Sequence, residues 1–447
     1  MKEDNIAAIS TALAPSGVAI IRISGSDPLS IASKMFHSKT SFEQFEPNKL
    51  YVGTIDGGSF KDHGMCVYFK APKSYTGEDM VEVHCHGGLA ITKGILETCL
   101  RNGARLADRG EFTKRAFLNG KLSLSSCEGL IDMINSQSVA EVKSGYYLYK
   151  ENLFKKIRSL EDKLTYILAQ IDANIDYPED DLGDLELEKI SRELIYVKGE
   201  LSLLTSTFLS GSKAKNGVNV VICGRPNAGK SSLLNRLINC DKAIVTSIEG
   251  TTRDVVEGST EINGIRFNFY DTAGIRESND EVERLGVERS KRAINSADVV
   301  LFLIDGCAGF SLLDEEIFAL CRDKQYLRVI NKCDENTFNN GIVADCDLVV
   351  SAKTGEGFDK LINEIYIKAG LDKLNLDGDY LVEKRHYEAL SDAVASLNNA
   401  ISAYGIMPLD VITIDIRSAL LSLGLISGET ADENVINEIF SKFCVGK

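Results

Sequence analysis

The pattern of apolar and polar positions changes twice along the chain. Up to about residue 120, short apolar runs bounded by glycine or proline occur at residues 18–23, 65–69 and 80–85, and they predict strands. A helix is predicted over residues 91–102, where Gly103 ends it. We therefore expect residues 1–120 to form a mixed α/β N-terminal domain.

The strand predicted over residues 80–85 has two different faces. Strand alternation places Glu82, His84 and His86 on one side and apolar side chains on the other. The polar side either holds a metal on its two histidines, or it lines a small-ligand cleft or faces solvent. No further metal-ligand spacing accompanies the histidines, which favours the second interpretation.

Longer helical stripes follow and then return at the end of the chain. In both places apolar residues recur at alternating spacings of four and three, which is typical of the helices of a bundle. The residues in these stripes are Leu153, Ile157, Leu160, Leu164, Ile167 and Ile171, then Ile190, Leu194, Val197, Leu201 and Leu204, and finally Tyr387, Leu390, Val394, Leu397 and Ile401.

The two helical segments are predicted to belong to one domain. A few isolated helices on each side of a compact domain could not bury their stripes alone, so residues 121–215 and 373–447 are expected to pack together around an inserted domain at residues 216–372, whose ends lie close together. Residues 176–181 are expected to form a loop, and residues 210–212 to lead into the insertion. Separate coiled-coil dimers are the alternative, but the stripes are short and interrupted, which argues against it.

The inserted segment contains the phosphate-binding pattern G-x-x-x-x-G-K-[ST], from Gly224 to Ser231. An apolar run at residues 218–223 predicts a strand before it, and a helical pattern opens at Ser232 after it. Glycines let the backbone wrap a triphosphate closely, and a helix N-terminus directs N–H groups at it. Lys230 is expected to reach the β- and γ-phosphates, and the Ser231 hydroxyl to hold Mg²⁺.

Further elements of a nucleotide site follow in order. Thr252 is expected to close on the γ-phosphate and complete the Mg²⁺ shell. The pair Asn263-Gly264 predicts a hairpin between two strands. The second strand leads to Asp271, which would reach Mg²⁺ through water, and to Gly274, whose N–H would bind the γ-phosphate.

Two later motifs indicate the base. They are Asn-Lys-Cys-Asp at residues 331–334 and Ser-Ala-Lys at residues 351–353, each next to a predicted strand. The Asp334 carboxylate can accept two N–H bonds from guanine, whereas adenine would present the wrong groups to it. The predicted nucleotide is therefore GTP. Its predicted contact residues are Asn227, Ala228, Gly229, Lys230, Ser231, Ser232, Thr246, Ser247, Ile248, Glu249, Gly250, Thr251, Thr252, Asp271, Thr272, Ala273, Gly274, Asn331, Lys332, Asp334, Ser351, Ala352 and Lys353.

The chain departs from the regulatory small GTPases just after Gly274. Those proteins carry a glutamine nearby that orients the attacking water, whereas Ile275 follows here and cannot do so. Asn227 offers an amide oxygen to a monovalent cation, together with carbonyls of residues 246–251, and that cation would add the charge of an arginine finger. The acid-rich residues 281–284 either orient the water or form a solvated helix face, and the residues alone favour the second interpretation.

Composition narrows the class of protein. The 447 residues are too many for one ordinary core, and 44% hydrophobic with 26% charged residues describes a globular protein. The net charge of −15 excludes a surface that wraps nucleic acid throughout, so any such contact would use local basic patches such as residues 101–115. Eleven cysteines without paired spacing indicate reduced thiols. With no signal-peptide core and no run long enough to span a bilayer, a cytoplasmic protein without membrane contact is expected.

With these residues in place, the chain resembles the MnmE (also TrmE) family of tRNA uridine-modification GTPases over almost its full length. The resemblance rests on GRPNAGKSSLLN, AIVTSIEGTTRD, DTAGIRES and DEVERLGVER in the nucleotide domain, and on VAIIRISG, SYTGEDMVEVHCHGG and RGEFTKRAFLNGKL before it. The GEFTKRAFLN segment and the terminal CVGK are the most specific, because they lie outside the generic GTPase motifs. Val445 stands where the family usually has isoleucine.

The resemblance implies a multidomain α/β fold. It implies an N-terminal α+β domain that binds a tetrahydrofolate one-carbon donor, 5-formyl- or 5,10-methylene-tetrahydrofolate, and makes a homodimer. It also implies a helical bundle domain with an inserted Ras-like P-loop GTPase domain. Such proteins form a heterotetramer with an FAD-dependent MnmG-like partner, and they add a carboxymethylaminomethyl-type group at C5 of the wobble uridine of certain tRNAs.

The resemblance also implies ligands and catalytic roles for single residues. The implied K⁺ ligands are Asn227, Thr246, Ile248 and Thr251, and the implied Mg²⁺ ligands are Ser231 and Thr252. Glu283 would position the catalytic water through a second water, which reverses the interpretation of residues 281–284 given above, and it joins Asn227 and Lys230 as a catalytic residue.

The folate positions of the family match Arg22, Glu82, Lys121 and Lys447. Arg22 and Lys121 could pair with the glutamate carboxylates or the carbonyl of the folate, and Glu82 could accept from the pterin N–H groups. Cys444 is either a nucleophile or a packing and positioning residue beside the folate, and its sequence context leaves both open.

Two other classes of GTPase share part of the pattern. A regulatory ribosome-assembly GTPase shares the Asn227-type P-loop and a hydrophobic residue at the Ile275 position, but it usually appends an RNA-binding domain with a basic groove. This chain ends instead in an acidic helical segment at residues 428–438 and in CVGK. A membrane-remodelling GTPase would need an amphipathic basic stretch, which the sequence does not contain. A K⁺-activated GTPase of tRNA modification is the leading hypothesis.

Overall fold

The structure is a computed structural model of the chain, and it describes residues 4–176, 184–239, 258–271, 292–344, 347–428 and 433–447. These residues form two compact units. Unit 1 lies within Met1–Ile131, Tyr147–Arg158 and Leu423–Lys447, and unit 2 lies within Asp132–Tyr146 and Ser159–Ser422.

The described strands of unit 1 form a seven-stranded sheet with the order β3-β4-β5-β6-β2-β1-β7. Neighbouring strands are antiparallel, except that β7 runs parallel to β1. The strands are β1 (Ile6–Ile9), β2 (Ser16–Gly25), β3 (Phe36–Ser38), β4 (Leu50–Asp56), β5 (Lys61–Phe69), β6 (Asp79–Gly87) and β7 (Arg105–Leu106). The three strands predicted over residues 18–23, 65–69 and 80–85 are confirmed as parts of β2, β5 and β6.

The core of unit 1 lies under one face of this sheet. Helices α1 (Pro28–Ser33) and α2 (Leu89–Arg101) pack there against the apolar face of β2 and β6. Along β6 the side chains of Val81, Val83 and Cys85 are buried, whereas Glu82 and His84 are only half-buried on the opposite face. The predicted alternation of this strand is therefore confirmed, and its polar face is available for a site.

The end of the chain is part of unit 1. Helices α3 (Glu111–Leu118), α4 (Leu124–Asn135) and α14 (Glu433–Ser441) lie there, and apolar side chains of α4 pack with Ile439, Phe440 and Phe443. Val445 then bridges to Arg109. A Cβ on Gly446 would overlap the backbone oxygen of Ile9, so only glycine allows the terminus to approach β1 this closely.

Unit 2 contains a six-stranded sheet with the order β13-β12-β11-β8-β10-β9 among the described residues. Its strands are β8 (Val218–Cys223), β9 (Gly258–Ile262), β10 (Ile265–Asp271), β11 (Val299–Asp305), β12 (Tyr326–Asn331) and β13 (Leu348–Val349). All pairs are parallel except the β9–β10 hairpin, which turns at Asn263-Gly264 as predicted. Helices α9 (Lys230–Ile238), α10 (Leu312–Ala319) and α11 (Phe358–Lys368) accompany it. Because parallel strands end at the same edge, the loops after β8, β10, β11 and β12 come together there.

The remaining helices form the helical part of unit 2. They are α5 (Val139–Tyr149), α6 (Asn152–Asp176), α7 (Asp184–Ser206), α8 (Phe208–Asn216), α12 (Lys384–Ala403) and α13 (Leu409–Ser427). Every residue of the two stripes predicted between Leu153 and Leu204 is buried, which confirms them. Within the part of the chain that the structure describes, no helix is long and apolar enough to cross a membrane.

The stripe predicted on α12 is only partly correct. Leu390 and Leu397 are buried as predicted, but Tyr387 is exposed, and Val394 and Ile401 are only half-buried. The other buried positions of this helix are His386, Ala389, Ala393 and Ala400. Small alanine side chains let α12 pack closely against α7, and a search for large apolar residues does not detect such a face.

Segments before and after the six-stranded sheet contact each other. The predicted lead-in at residues 210–212 lies inside α8, where a Cβ on Gly211 would overlap the carbonyl of Leu381. Lys213 Nζ donates to the Ala369 carbonyl at 2.8 Å. The predicted loop at residues 176–181 lies outside the described residues apart from Asp176, which ends α6.

A buried ionic cluster joins α4, α8 and the residue before α12. Lys215 Nζ lies 2.8 Å from the Asp132 carboxylate and also pairs with Glu383, so two carboxylates share one ammonium. Burial raises the pKa of Asp132 to about 7, and repulsion from Glu383 opposes its ionisation further. In the folded state Asp132 therefore keeps a proton at pH values where the unfolded chain has lost it.

We expect this cluster to make stability fall as the pH rises from about 4 to about 7, because the folded state binds the extra proton in that window. The variant Asp132→Asn should lose this dependence and become more stable than the parent protein at about pH 8. Thermal unfolding midpoints measured across the pH range test this. Glu438→Gln, which removes an exposed carboxylate, serves as the control. Parallel pH profiles for Asp132→Asn and the parent would contradict the assignment.

Candidate functional site

The loop from Gly224 to Ser231 lies between β8 and α9, at the edge where the parallel strands end. A Cβ on Gly224 would overlap the Leu303 carbonyl, and one on Gly229 would overlap the Asn331 side chain. Gly229 also has a φ of 97°, in the left-handed region. The glycines of the pattern are therefore required by close packing of the loop against its neighbours as well as by the space that a phosphate needs.

Lys230 and Ser231 face the interior of this loop. The buried Lys230 ammonium donates to the carbonyls of Gly224 and Arg225, each at 3.0 Å. Ser231 Oγ donates to Asp271 Oδ2 at 2.9 Å, although 40 residues separate them in the sequence. A hydroxyl and a carboxylate oxygen are ligands that Mg²⁺ prefers, so the donor set at this point fits that ion.

The two base motifs meet the phosphate loop through Asn331. Its Nδ2 donates to the Ala228 carbonyl and its Oδ1 accepts from the Ala352 N–H, both at 2.9 Å. Asp334 in turn accepts from Ser351 Oγ at 2.6 Å. The structure thus brings together residues that the sequence places in three separate segments.

The charge of Asp334 suits a double acceptor. The hydrogen bond from Ser351 lowers the pKa of Asp334 below its ordinary value, and the nearby Lys353, at 3.7 Å, acts in the same direction. The carboxylate is therefore ionised at neutral pH, with lone pairs available for the N–H groups of a guanine edge.

The remaining predicted contact residues divide into two groups. Asn227 lies in the phosphate loop with a left-handed φ of 64°, which asparagine tolerates, and Ser232 lies in the first turn of α9. The others lie outside the described residues: Thr246, Ser247, Ile248, Glu249, Gly250, Thr251, Thr252, Thr272, Ala273, Gly274 and Glu283.

Sequence reasoning missed two side chains at this edge. Asp305, the last residue of β11, pairs with Lys332 Nζ at 2.7 Å. Arg225 donates to the Gly309 carbonyl at 2.7 Å. Asp305 could have been found as the first polar residue after a buried parallel strand, whereas Arg225 occupies an unspecified position of its motif and carries no such signal.

A second cluster lies on the polar face of β2 and β6 in unit 1. Arg22 and Glu82 face each other across the two strands and form an ion pair of 2.9 Å. His84 Nε2 lies 3.4 Å from the other carboxylate oxygen of Glu82. The Arg22 guanidinium also lies over the rings of Tyr75 and Phe112, with centroid distances of 5.2 and 5.7 Å. Ion pairing and the two rings hold Arg22 in one orientation.

The C-terminal residue joins this cluster. Burial lowers the pKa of the Lys447 ammonium, and the positive charge of Arg22 lowers it further, while Glu82 opposes the shift. Burial alone would raise the pKa of Glu82, but the bonds from His84 and Arg22 outweigh it and the net pKa is lowered. Lys121 is exposed and donates to the Pro72 carbonyl at 3.0 Å. A surplus of cations beside one carboxylate fits an anionic ligand that also carries N–H donors.

The two histidines of β6 have different partners. His84 faces Glu82, whereas His86 Nδ1 pairs with Asp62 at 2.6 Å. Among the residues that the structure describes, no group of three or more His, Cys, Asp or Glu side chains converges as a metal-ligand set. The geometry therefore gives no support to a metal held by His84 and His86 together.

Two protein-family models match the chain. The model described as "GTP-binding protein TrmE N-terminus" matches residues 5–121. The model described as "MnmE helical domain" matches residues 124–444, which is more than half of the chain.

Curated relatives match over the full length. A protein of Acetivibrio thermocellus named tRNA modification GTPase MnmE is 40% identical over 457 residues, covering 100% of both chains. Proteins of the same name from Clostridioides difficile and Synechococcus elongatus are 38% and 40% identical, covering 99% or more of each chain. Among solved structures, Aquifex aeolicus Era bound to GDP and AlF4⁻ is 29% identical over 40% of this chain and 66% of its own, with a TM-score of 0.28.

We expect Asp334→Asn to weaken GTP binding by about 100-fold and to admit xanthosine triphosphate. The amide turns an acceptor toward guanine N–H groups into a donor, whereas xanthine presents an oxygen there. Competition against a fluorescent guanine nucleotide measures both affinities. Asp347→Asn, which alters an ion-paired carboxylate elsewhere in the same sheet, is the matched control. Unchanged guanine affinity in Asp334→Asn would remove this residue from base recognition.

Proposed function

We propose a specific course of action for this chain, which belongs to the MnmE family of tRNA modification GTPases. The chain is a GTP hydrolase of tRNA modification, as its full-length relatives are named. In the proposed course, GTP hydrolysis at the phosphate loop drives conformational steps, and a one-carbon unit is used to build a carboxymethylaminomethyl-type group at C5 of the wobble uridine. The observation that carries the nucleotide part is the junction of Asn331 with Ala228 and Ala352.

Within that site, each described residue has one task. Lys230 and the first N–H groups of α9 counter the charge of the β- and γ-phosphates. Ser231 and Asp271 would hold Mg²⁺, which neutralises charge that develops on the phosphate oxygens when it is bound. Asp334, fixed by Ser351, accepts from the guanine edge. Thr252 and Gly274 would complete the contacts to the γ-phosphate, and Glu283 would position the water.

Cation activation is proposed from Asn227 and Ile275. Ile275 has no group that can orient water, so another source of catalytic power is required. Asn227 stands in the phosphate loop with a left-handed backbone, one residue before the buried Ala228. Its amide oxygen and the groups of Thr246, Ile248 and Thr251 would hold K⁺, which supplies positive charge beside the triphosphate when it is bound.

Contacts at the β9–β10 hairpin support the coupling of hydrolysis to the helical residues of unit 2. The Gly264 carbonyl at the hairpin tip accepts from the Ala140 N–H of α5 at 2.8 Å. Arg266 on β10 pairs with Glu141 at 3.4 Å and also donates to Gln137. The same strand ends at Asp271 in the proposed Mg²⁺ site, so a shift of β10 would be felt by α5.

The proposed one-carbon site is the cluster of Arg22, Glu82 and Lys447, with Lys121 nearby. Arg22 and Lys447 supply positive charge for the glutamate carboxylates of a tetrahydrofolate, and Glu82 supplies an acceptor for pterin N–H groups. A bound tetrahydrofolate would supply the one-carbon unit. Cys444 is exposed near this terminus, so the nucleophile and positioning roles both stay open for it.

The assembly is proposed from the family. The chain would form a homodimer through its N-terminal domain and a heterotetramer with an FAD-dependent MnmG-like protein, acting on tRNA in the cytoplasm. The domain limits 1–120, 121–215, 216–372 and 373–447 stay predictions. A ribosome-assembly GTPase remains the alternative class, but relatives matched from end to end favour tRNA modification.

We expect GTP turnover to be about 100-fold faster in KCl than in NaCl at equal ionic strength, because only K⁺ would fit the ligands around Asn227. The variant Asn227→Ala should keep guanine nucleotide binding but lose the response to K⁺. Steady-state phosphate release measures turnover, and a fluorescent GDP measures binding. Turnover that is slow and indifferent to the cation in the parent protein would instead indicate a switch that requires an external activator.

We expect Arg22→Met to weaken binding of 5-formyl-tetrahydrofolate about tenfold or more, which is the loss for one charge-assisted hydrogen bond. Isothermal titration calorimetry provides a readout that does not depend on tRNA modification. Arg101→Met, which removes an arginine of the same unit outside the cluster, is the matched control. Equal folate affinity in Arg22→Met and Arg101→Met would refute the placement of the one-carbon site.

A further inference from the structure

Asp305 holds a cation of the guanine motif, although no nucleotide-binding motif includes it. It is the last residue of β11, its side chain is largely buried, and its Oδ2 lies 2.7 Å from Lys332 Nζ. Its Oδ1 accepts from the Cys307 N–H at 2.9 Å. The carboxylate is thus fixed by its own loop on one side and holds Lys332 on the other.

The backbone of Lys332 requires such an anchor. Its φ is 70°, in the left-handed region, where a lysine is destabilised by roughly 1–2 kcal/mol. The flanking motif residues are held elsewhere, Asn331 by Ala228 and Ala352, and Asp334 by Ser351. Lys332 makes its printed bond to Asp305 alone, so this ion pair is what holds the strained turn that presents Asp334.

The loop that begins at Asp305 also contacts the phosphate loop. The Asp305 carbonyl accepts from the Gly309 N–H at 3.2 Å, and the Gly309 carbonyl accepts from Arg225 at 2.7 Å. Arg225 Nε also lies 3.5 Å from the buried Asp314 carboxylate. One loop, residues 305–314, is therefore tied both to the base motif and to the phosphate motif.

Asp305 is charged under working conditions. Burial alone would raise its pKa, but the bonds from Lys332 and from the Cys307 N–H outweigh burial, and the pKa lies below the ordinary value for aspartate. The attraction to Lys332 is therefore present at neutral pH.

We propose that Asp305 is a positioning residue for guanine nucleotide binding, acting through Lys332 on the turn that carries Asp334. The inference rests on the nucleotide site proposed above and adds to it a residue from outside the motifs. Asp305 does not touch the nucleotide in this account. It keeps the base-binding turn in the conformation that the nucleotide needs, so that binding does not have to supply the ordering free energy.

The experiment uses the full-length chain with Asp305→Asn, which keeps the shape and the bond from Cys307 but removes the charge. We expect release of a fluorescent GDP to be about tenfold faster, the loss for one charge-assisted hydrogen bond. KM for GTP should rise, with kcat at saturation little changed, because the turn can still form once nucleotide is bound. Nucleotide release and KM equal to those of the parent would overturn the proposal.

Three further variants keep the outcome interpretable. Asp347→Asn is matched to Asp305→Asn, because Asp347 also pairs with one cation, Arg328 at 3.2 Å, and accepts one backbone N–H, from Ala344. Its nucleotide release should equal that of the parent, and a tenfold effect in both variants would indicate general destabilisation and overturn the proposal.

Lys332→Met tests whether the pair acts as a unit. It should speed GDP release as Asp305→Asn does, and the double variant should be no worse than Lys332→Met alone. Additive effects would contradict the proposed route through Lys332. Asp334→Asn separates the two levels of inference: unchanged guanine affinity there would count against the nucleotide site itself, whereas a normal response there with an inert Asp305→Asn would count against positioning alone.

Discussion

The two hydrogen bonds of the Asn331 amide are the contacts on which the nucleotide site depends. One joins the end of β12 to the phosphate loop at Ala228, and the other joins it to the Ser-Ala-Lys segment at Ala352. A planar amide fixes the direction of its donor and its acceptor together, so the three segments cannot shift independently without breaking a buried bond. The close approach of Gly229 to the same side chain belongs to this constraint, because any Cβ there would displace the amide.

The surrounding sheet makes that junction possible. Parallel strands β8, β11 and β12 end at one edge, and β11 is buried along its whole length, so the loops rest on a rigid base. The antiparallel β9–β10 hairpin extends this sheet and contacts α5 through Gly264 and Ala140. The nucleotide edge and the helical residues of unit 2 thus share one continuous strand, which is a physical route for coupling binding to movement.

Unit 1 solves a different problem with similar means. Arg22 and Glu82 are cross-strand neighbours on the polar face of β2 and β6, while the opposite face of the same strands forms the core. The last residue of the chain, Lys447, is brought beside them because α14 packs on α4 and Gly446 fits against β1. A cluster of two cations and one carboxylate results from segments more than 350 residues apart in the sequence.

The sequence alone determined the elements and the chemistry that depend on local pattern. The strand at Val218–Cys223, the hairpin turn at Asn263-Gly264 and the stripes of α6 and α7 follow from periodicity and turn residues, which act over a few positions. The motif residues Lys230, Asp271 and Asp334 were identified because their spacing within each motif is itself local. Only the tertiary structure decided the pairing of Asp305 with Lys332, the close packing of α12 through alanines, and the sharing of Lys215 between two carboxylates. Those features depend on which side chains meet across distant segments, and neither the period nor the spacing of residues along the chain carries that information.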